Sequence, residues 1–376
     1  MKVQIEKSVI LTAVRTAIRA VAAKSVIPAM EGLLLEVKGN DMVVTGFNGS
    51  LAMQTKVDVI GDEDGAVVLD ARLLSNIISK MDDNDVFIRT TDKTAVIDCG
   101  DSHFELAYID PSTFPELPEI DVLEQISIPQ NKLKSMLTDV LYAASQDETR
   151  MIHTGPMFDF SGDMLTMVAL DGFRLALRKE QIEGCNSQVQ FVPPASAMNE
   201  VVKLCDDTDD TMVVSVGTNH ALFSIGNTIL ICRRLSGSFF DYEKAVADAT
   251  KAKMKVKAAK KALMDTIDRV SIVIANGIKS PVVCEFSTDK VLMRCVTALG
   301  AAKDVAKIDG AVEDMLEIGF NSRYLMEAVK NTPDDEFIMY MNTPIQPLFI
   351  KPVDGSDKFT YMVLPVRVRN DVDTAR

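Results

Sequence analysis

The sequence predicts an α+β chain built from three copies of one domain, each copy a duplicated half with one helix and several antiparallel strands. Three sets of recurring segments predict this. EVKGNDMVVTGFNG from Glu36, DFSGDMLTMVALDG from Asp159 and EFSTDKVLMRCVTALG from Glu285 begin 123 and then 126 residues apart. Each reads as strand, Gly/Asp/Thr turn, strand, the signature of a hairpin. VVLDARLLSNIISKMDDNDVFI from Val67, VQFVPPASAMNEVVKLCDDTDDTMVV from Val189 and LEIGFNSRYLMEAVKNTPDDEFIMY from Leu316 read as strand, cap, short helix, acidic turn, strand. Three openings, from Val3, Ile126 and Met254, run from a short strand into an amphipathic helix.

The local chemistry fits each element. Asp70, Asn131 and the Asn321-Ser322 pair suit N-caps, and Pro193-Pro194 suits a helix start. The repeat of about 125 residues has the size of an ordinary domain. It divides the chain into 1–124, 125–249 and 250–376, with DPSTFPELPEI and FFDYEKAVADATKAK as connecting stretches.

A length of 376 residues exceeds one comfortable core, which agrees with several domains. No apolar run approaches the roughly 18 residues of a membrane span, and the N-terminus lacks a signal peptide's long apolar stretch. The six cysteines are scattered without a CxxC pair. They read as buried thiols of a cytoplasmic protein, with neither a disulfide framework nor a zinc site.

The formal net charge is −14 at pH 7, which argues against indiscriminate nucleic-acid binding. Local fields can still be positive. In the first helix Ile10, Val14, Ala17, Ile18 and Val21 form an apolar stripe, with Ser8, Thr12, Arg15 and Arg19 opposite. Residues 1–24 carry Lys2, Lys7, Arg15, Arg19 and Lys24 against Glu6 alone. Residues 251–279 hold eight cations against Asp265 and Asp268. A surface collecting such helices would suit phosphate contact without base reading.

Catalytic chemistry is hard to place. The three histidines, His103, His153 and His220, are not spaced as a metal pair. There is no HExxH, GxSxG, P-loop or GxGxxG. DDNDV and DDTDDT fall at the same point of the repeat, after a helix, and read as solvated turns. No catalytic residue, cofactor or metal is nominated, and the chain reads as a scaffold.

The triplicated unit, LDGFRLAL (Leu170–Leu177), SQDETR (Ser145–Arg150), PELPEI (Pro115–Ile120) and YMVLPVRV (Tyr361–Val368) together resemble the bacterial DNA polymerase III beta subunits, the beta sliding clamps. The resemblance covers essentially the whole chain. It implies the DNA clamp fold and a head-to-tail homodimer of three-domain chains, with helices lining the hole around double-stranded DNA. It implies no catalysis. The clamp would serve as a processivity factor that tethers the replicative DNA polymerase and is opened by a clamp loader.

The resemblance also implies site residues. A cleft for partner peptides, including those of other clamp-motif proteins, carries over to Leu170, Gly172, Phe173, Arg174, Leu175 and Leu177. It continues through Phe240, Lys244 and Ala245, then Pro347, Met362, Val363, Leu364, Pro365, Val366 and Arg367. An exposed apolar groove with basic rims would suit acidic and apolar peptides, with Arg174 and Arg367 holding acidic groups. For phosphate contact, Lys24 carries over by position; Arg19, Arg72, Lys80, Lys255 and Lys261 rest on charge and helix face. The dimer interface carries over to Phe104 and Leu106 against Ile272 and Val273. Leu170, Phe173, His153 and Phe240 depart from the family's usual residues and make the cleft bulkier and less polar. The tail Arg369–Arg376 runs past the usual end and is too polar to fold alone. The rival readings are a monomeric repeat scaffold that binds proteins but not DNA, and an enzyme with a cryptic carboxylate site.

Overall fold

The computed structural model describes residues 1–274, 280–310 and 315–368. Lys279 and the tail Arg369–Arg376 lie outside the described residues, as does the side chain of Lys251.

The first repeat holds β1 (Lys2–Glu6), α1 (Lys7–Ala17), β2 (Gly32–Lys38), β3 (Asp41–Phe47), β4 (Leu51–Asp58), β5 (Ile60–Glu63) and β6 (Gly65–Asp70). Then come α2 (Ala71–Lys80), β7 (Asp85–Thr90), β8 (Thr94–Cys99) and β9 (Ser102–Ala107). The second holds β10 (Glu124–Pro129), α3 (Gln130–Leu141), β11 (Met157–Gly162), β12 (Met164–Leu170), β13 (Arg174–Gln181) and β14 (Ser187–Phe191). It continues with α4 (Ala195–Leu204), β15 (Thr211–Val216), β16 (His220–Ile225) and β17 (Thr228–Arg233). After the short α5 (Tyr242–Ala247), the third holds β18 (Met254–Ala259), α6 (Lys260–Ser271), β19 (Val282–Phe286), β20 (Lys290–Thr297), β21 (Gly300–Asp309) and β22 (Leu316–Phe320). It ends with α7 (Ser322–Lys330), β23 (Glu336–Met341), β24 (Leu348–Pro352) and β25 (Phe359–Val363). Apart from β5, a continuation of β4, each repeat runs strand, helix, three strands, and then the same again.

The halves exchange their first strands. β1 pairs with β7 of the second half, and β6 pairs with β2 of the first. The same exchange recurs as β10–β15 with β14–β11, and β18–β23 with β22–β19. Every pairing is antiparallel. Strand alternation then sends one face of each sheet inward: along β1, Val3 and Ile5 are buried while Lys2 and Glu6 face out.

Two strand pairings join successive repeats. β17 pairs with β4, Cys232 opposite Leu51, making an eight-stranded sheet. β25 pairs with β13, Val363 opposite Arg174, within a twelve-stranded sheet. These continuous sheets explain why compactness divides the chain differently from sequence repetition. One compact unit comprises residues 1–131 and 199–234; the other comprises 132–198 and 235–376.

In the first unit α1 lies on α2, burying Ile10, Ala13, Val14 and Ala17 against Leu74, Ile77 and Ile78. Ser8, Thr12, Arg15 and Arg19 stay exposed on the far face of that stretch, as the apolar stripe predicts. The Asp70 carboxylate caps α2 by accepting from Leu73 N at 2.7 Å. The Asn321 side chain caps α7. Pro194 precedes α4 and accepts from Met198 N, so the Pro pair does mark that start.

Asn131 is not a cap. It is the second residue of α3, and its side-chain amide donates to Asp209 at 2.8 Å, tying the first turn to the acidic loop instead. Five of the six cysteines are buried thiols, while Cys185 is partly exposed in a turn.

At the β13–β25 junction two charged side chains are buried in the second unit. Arg178 Nε donates to Asp139 Oδ2 of α3 at 3.0 Å, and its other nitrogens reach Glu180 and the carbonyl of Lys358. Burial pushes the Asp139 carboxyl up to about 6, against the pull of Arg178. Its folded value thus lies above the unfolded one. That contribution to stability is full at low pH and is lost as pH rises through about 6. Arg178→Met removes the compensating charge and should cost about 3–5 kcal/mol at neutral pH in urea unfolding. The deficit should shrink toward pH 5, where Asp139 takes a proton. A variant as stable as the parent at pH 7.5 would show that the pair carries no such weight.

Candidate functional site

The hairpin β12–β13 turns at Gly172 and Phe173. Gly172 sits at φ +88°, in the left-handed region where a side chain strains the backbone. The Asp171 carboxylate accepts from the backbone N–H of Phe173 at 2.9 Å and of Arg174 at 3.1 Å, fixing the turn. Phe173 is left 59% exposed, its ring stacked on Tyr324 of α7 with centroids 5.9 Å apart.

The C-terminal strand lies along this hairpin. Leu364 N donates to Phe173 O at 2.9 Å, and Val366 N donates to Gly319 O at 2.8 Å. Pro365, Val366, Arg367 and Val368 then line a cavity of about 670 Å³ with Pro344 and Ile345, the latter 81% exposed. Sequence reasoning chose Pro347 in this loop and missed Ile345. Tyr324 was also missed, because nothing in the sequence places α7 beside the hairpin.

Several expected cleft residues are buried or packed on the core. Leu170, Leu175, Leu177 and Val363 are buried, so they do not form an exposed groove. The three leucines pack in one core cluster with Met157, Val168, Val192 and Tyr242, because alternation turns this side of the hairpin inward. Met362 packs on that cluster half-buried, and Leu364 and Pro365 are half-buried as well. Phe240 is exposed, while its neighbour Phe239 packs on the cluster and meets His153 edge to face at 5.5 Å. Burial and the nearby Arg150 charge hold the His153 imidazole below its usual range. Ala245 is half-buried on α5.

The basic rim is smaller than expected. Arg174 is no rim residue: its side chain is 5% exposed, ion-paired with Asp171 and Glu327, and donates to the carbonyl of Tyr142. The rings of Tyr142 and Tyr324 lie 5.2 and 4.6 Å from its guanidinium. With its charge and donors satisfied, it holds the turn to α7 and has little to offer an incoming carboxylate. Lys244 is exposed but pairs with Asp241. Arg367 is exposed at the cavity edge.

The candidate phosphate-contact residues fall in both units. In the first, Lys24, Arg72 and Lys80 are exposed. Arg72 shares a cavity of about 220 Å³ with Val21, Ala22 and Ala23, so it stands near the segment that ends at Lys24. Arg19 is exposed and leans toward Glu200 at 3.9 Å. In the second unit, Lys261 is exposed on α6, 3.7 Å from Asp265.

Lys255 does not belong to a helix face. It is on β18, where alternation buries Val256 and Ala258 and turns Lys255 outward, over the Tyr340 ring at 5.3 Å. The excess positive charge of this segment also shrinks in three dimensions, since Lys257 pairs with Glu336 and Arg269 with Asp304.

The expected subunit-contact residues lie on the edge strand β9 and just after α6. Phe104 and Leu106 are half-buried on β9, the edge of a five-stranded sheet, and pack on the first unit's core. Ile272 follows α6 and is 77% exposed; the carbonyl of Val273 accepts from Thr297 Oγ1 at 2.8 Å, beside the β20–β21 turn. Among the described residues, no group of three His, Cys, Asp or Glu side chains is placed to hold a metal. No described helix is long and apolar enough to cross a membrane.

Comparison with known proteins covers nearly the whole chain. Three family descriptions match in succession: the DNA polymerase III beta subunit N-terminal domain at residues 1–118, its central domain at 127–241 and its C-terminal domain at 249–367. The beta sliding clamp of Staphylococcus aureus is 26% identical, over 98% of this chain and 99% of that protein. That of Staphylococcus epidermidis is 27% identical over the same shares. The solved structure of the DNA polymerase sliding clamp from Bacillus subtilis superposes with a TM-score of 0.93 at 23% identity, over 98% of this chain and 100% of that one, a likeness of fold.

Core and surface positions of the groove should separate on substitution. Leu175→Ala opens space in the core and should cost about 2–5 kcal/mol of stability. Phe173→Ala, at the exposed turn, should cost under about 1 kcal/mol. Urea unfolding of both variants measures this; equal losses would mean that the hairpin's two faces are wrongly distinguished.

Proposed function

The chain belongs to the DNA polymerase III beta subunit family, the beta sliding clamps, and from that premise we propose that it is the processivity factor of a replicative DNA polymerase. Two copies close head to tail around duplex DNA and slide without reading sequence. The chain does no chemistry of its own. It acts in the cytoplasm, is loaded by a clamp loader, and has its domain limits at 124/125 and 249/250.

The observation that carries this reading is the pair of junctions β4–β17 and β13–β25, together with the open edge of β9 and of β21 over residues 300–307, since among the described residues β18 meets β21 only at Ile308 and Asp309. Each repeat receives the last strand of the next on its first-half edge. The third repeat receives none, and the first repeat's last strand is given to none. A second copy supplies both. A ring holds DNA by topology, so its phosphate contacts can stay weak enough for sliding.

Lys24, Arg72 and Lys80 are the first unit's phosphate contacts, and Lys261 is the second's. Arg19 contributes less, being drawn to Glu200. Phe173, Tyr324, Met362, Ile345 and Arg367 form the surface that takes a partner peptide from the polymerase. The apolar members supply burial, and Arg367 supplies the one exposed charge.

Retention on DNA tests the reading. Once loaded, the protein should stay on nicked circular plasmid and run off the same plasmid made linear. Lys24→Glu with Arg72→Glu should reduce loading several-fold and flatten its salt dependence by about one contact per charge. Equal loss from circle and line would instead favour a scaffold that does not encircle DNA. Sedimentation as a monomer at micromolar concentration would favour the same rival.

A further inference from the structure

We propose that the surface for a partner peptide does not stop at Met362. It continues across the third repeat's part of the sheet to Lys253 and Lys255, where it takes an acidic stretch of the same peptide. The inference deepens the peptide reading and rests on it.

Strand register carries the surface sideways. Leu175 of β13 faces Met362 of β25, and Met362 faces Phe349 of β24. Phe349 faces Tyr340 of β23, and Tyr340 faces Lys255 of β18. Side chains directly opposite one another share a face of a sheet, so these residues form one row across neighbouring strands. At the alternate positions of β13, Arg174 reaches the carbonyl of Tyr142 and Arg178 reaches Asp139 of α3. The row lies on the other side of the sheet, away from α3.

The row changes character along its length. Leu175 and Phe349 are buried, Met362 and Tyr340 are half-buried, and Lys255 is exposed. The Lys255 ammonium lies 5.3 Å from the centre of the Tyr340 ring, which holds it against the row. Lys253 is exposed two residues earlier, its backbone N–H donating to Asn342 Oδ1 at 2.7 Å. The nearby lysines are already neutralised: Lys257 pairs with Glu336 at 2.8 Å and Lys351 with Asp357 at 2.6 Å. Among the described residues, neither Lys253 nor Lys255 has a carboxylate partner.

Two uncommitted cations beside a half-buried tyrosine select a partner that is negative and chain-like. Val256 and Ala258, at the alternate positions of β18, are buried on the side that α6 covers. Lys255 therefore faces away from Lys261 of α6, and the occupant is a peptide, not the phosphates that Lys261 meets. Adjacent strands stand about 4.8 Å apart, so the Tyr340 ring lies about 10 Å from Met362. An extended peptide covers that distance in about three residues. Acidic residues about three to five positions from the apolar anchor reach both ammonium groups.

Selection from random peptides displayed on phage tests this with the full chain. Peptides selected on the parent should share apolar residues with an Asp or Glu pair at that spacing. Selection on the variant Lys253→Gln with Lys255→Gln should keep the apolar residues and lose the acidic pair. For one selected peptide, replacing its acids by their amides should weaken binding to the parent about fivefold, which two exposed charge pairs supply. The variant should bind the acidic and amide forms alike, with the parent's affinity for the amide form, and should stay on nicked circular plasmid as the parent does. Selection of apolar peptides without acids, or an acid preference that survives in the variant, overturns the extension and leaves the peptide surface standing. A variant that binds the amide peptide normally but is lost from the plasmid puts these lysines on phosphate, which also overturns it. If no apolar peptide is selected on the parent, the peptide surface fails and the extension fails with it.

Discussion

The last strand of each repeat has nowhere to go within its own sheet except to an edge, and the edge it meets decides everything larger than a domain. β17 lies on β4 and β25 lies on β13, so the boundary between repeats is a row of backbone hydrogen bonds. Such a seam is as stiff as the interior of a sheet. It buries its edges, which would otherwise invite uncontrolled pairing. Two repeats cannot be peeled apart without breaking a ladder, and compactness therefore cuts through the second repeat.

The exchange of first strands within each repeat serves the same end. If β1 paired beside β2, each half would close as a small unit of its own. With β1 on β7 and β6 on β2, neither half buries its apolar face alone, and the cluster joining Val3 and Ile5 to Leu33, Leu74 and Ile88 spans both halves. The helices of the two halves then lie side by side, α1 with α2 and α6 with α7. Their cation-bearing surfaces are set by this packing, since the apolar stripe of each helix is fully used.

Much of this was legible in the sequence, and the reasons for the rest are physical. Periodicity of 2 and 3.6 residues marked the strands and helices, and Asp70 and Asn321 marked their starts because an N-cap is a local interaction. Strand exchange and the seams β4–β17 and β13–β25 are long-range choices that leave no local trace. The site suffered for the same reason. Lys255 was assigned to a helix face by charge alone, while β18 placed it on a sheet. Asn131 had the composition of a cap but found Asp209 across the first unit. Arg174 looked like a surface cation until its three carboxylate and carbonyl partners were in place.

Arg174 also shows why the peptide surface is firm. A guanidinium removed from water is costly unless its donors are met, and here Asp171, Glu327 and the Tyr142 carbonyl meet them between two aromatic rings. These partners come from the turn itself, from α7 and from Tyr142, the residue that follows α3. Losing any of them leaves buried charge uncompensated, so the turn, the two helices and the Phe173–Tyr324 stack hold one arrangement together. A surface that is already ordered gives up little entropy when a flexible peptide lands on it. The buried ion pairs therefore contribute to binding without touching the ligand, by holding Phe173 out into solvent and in one orientation.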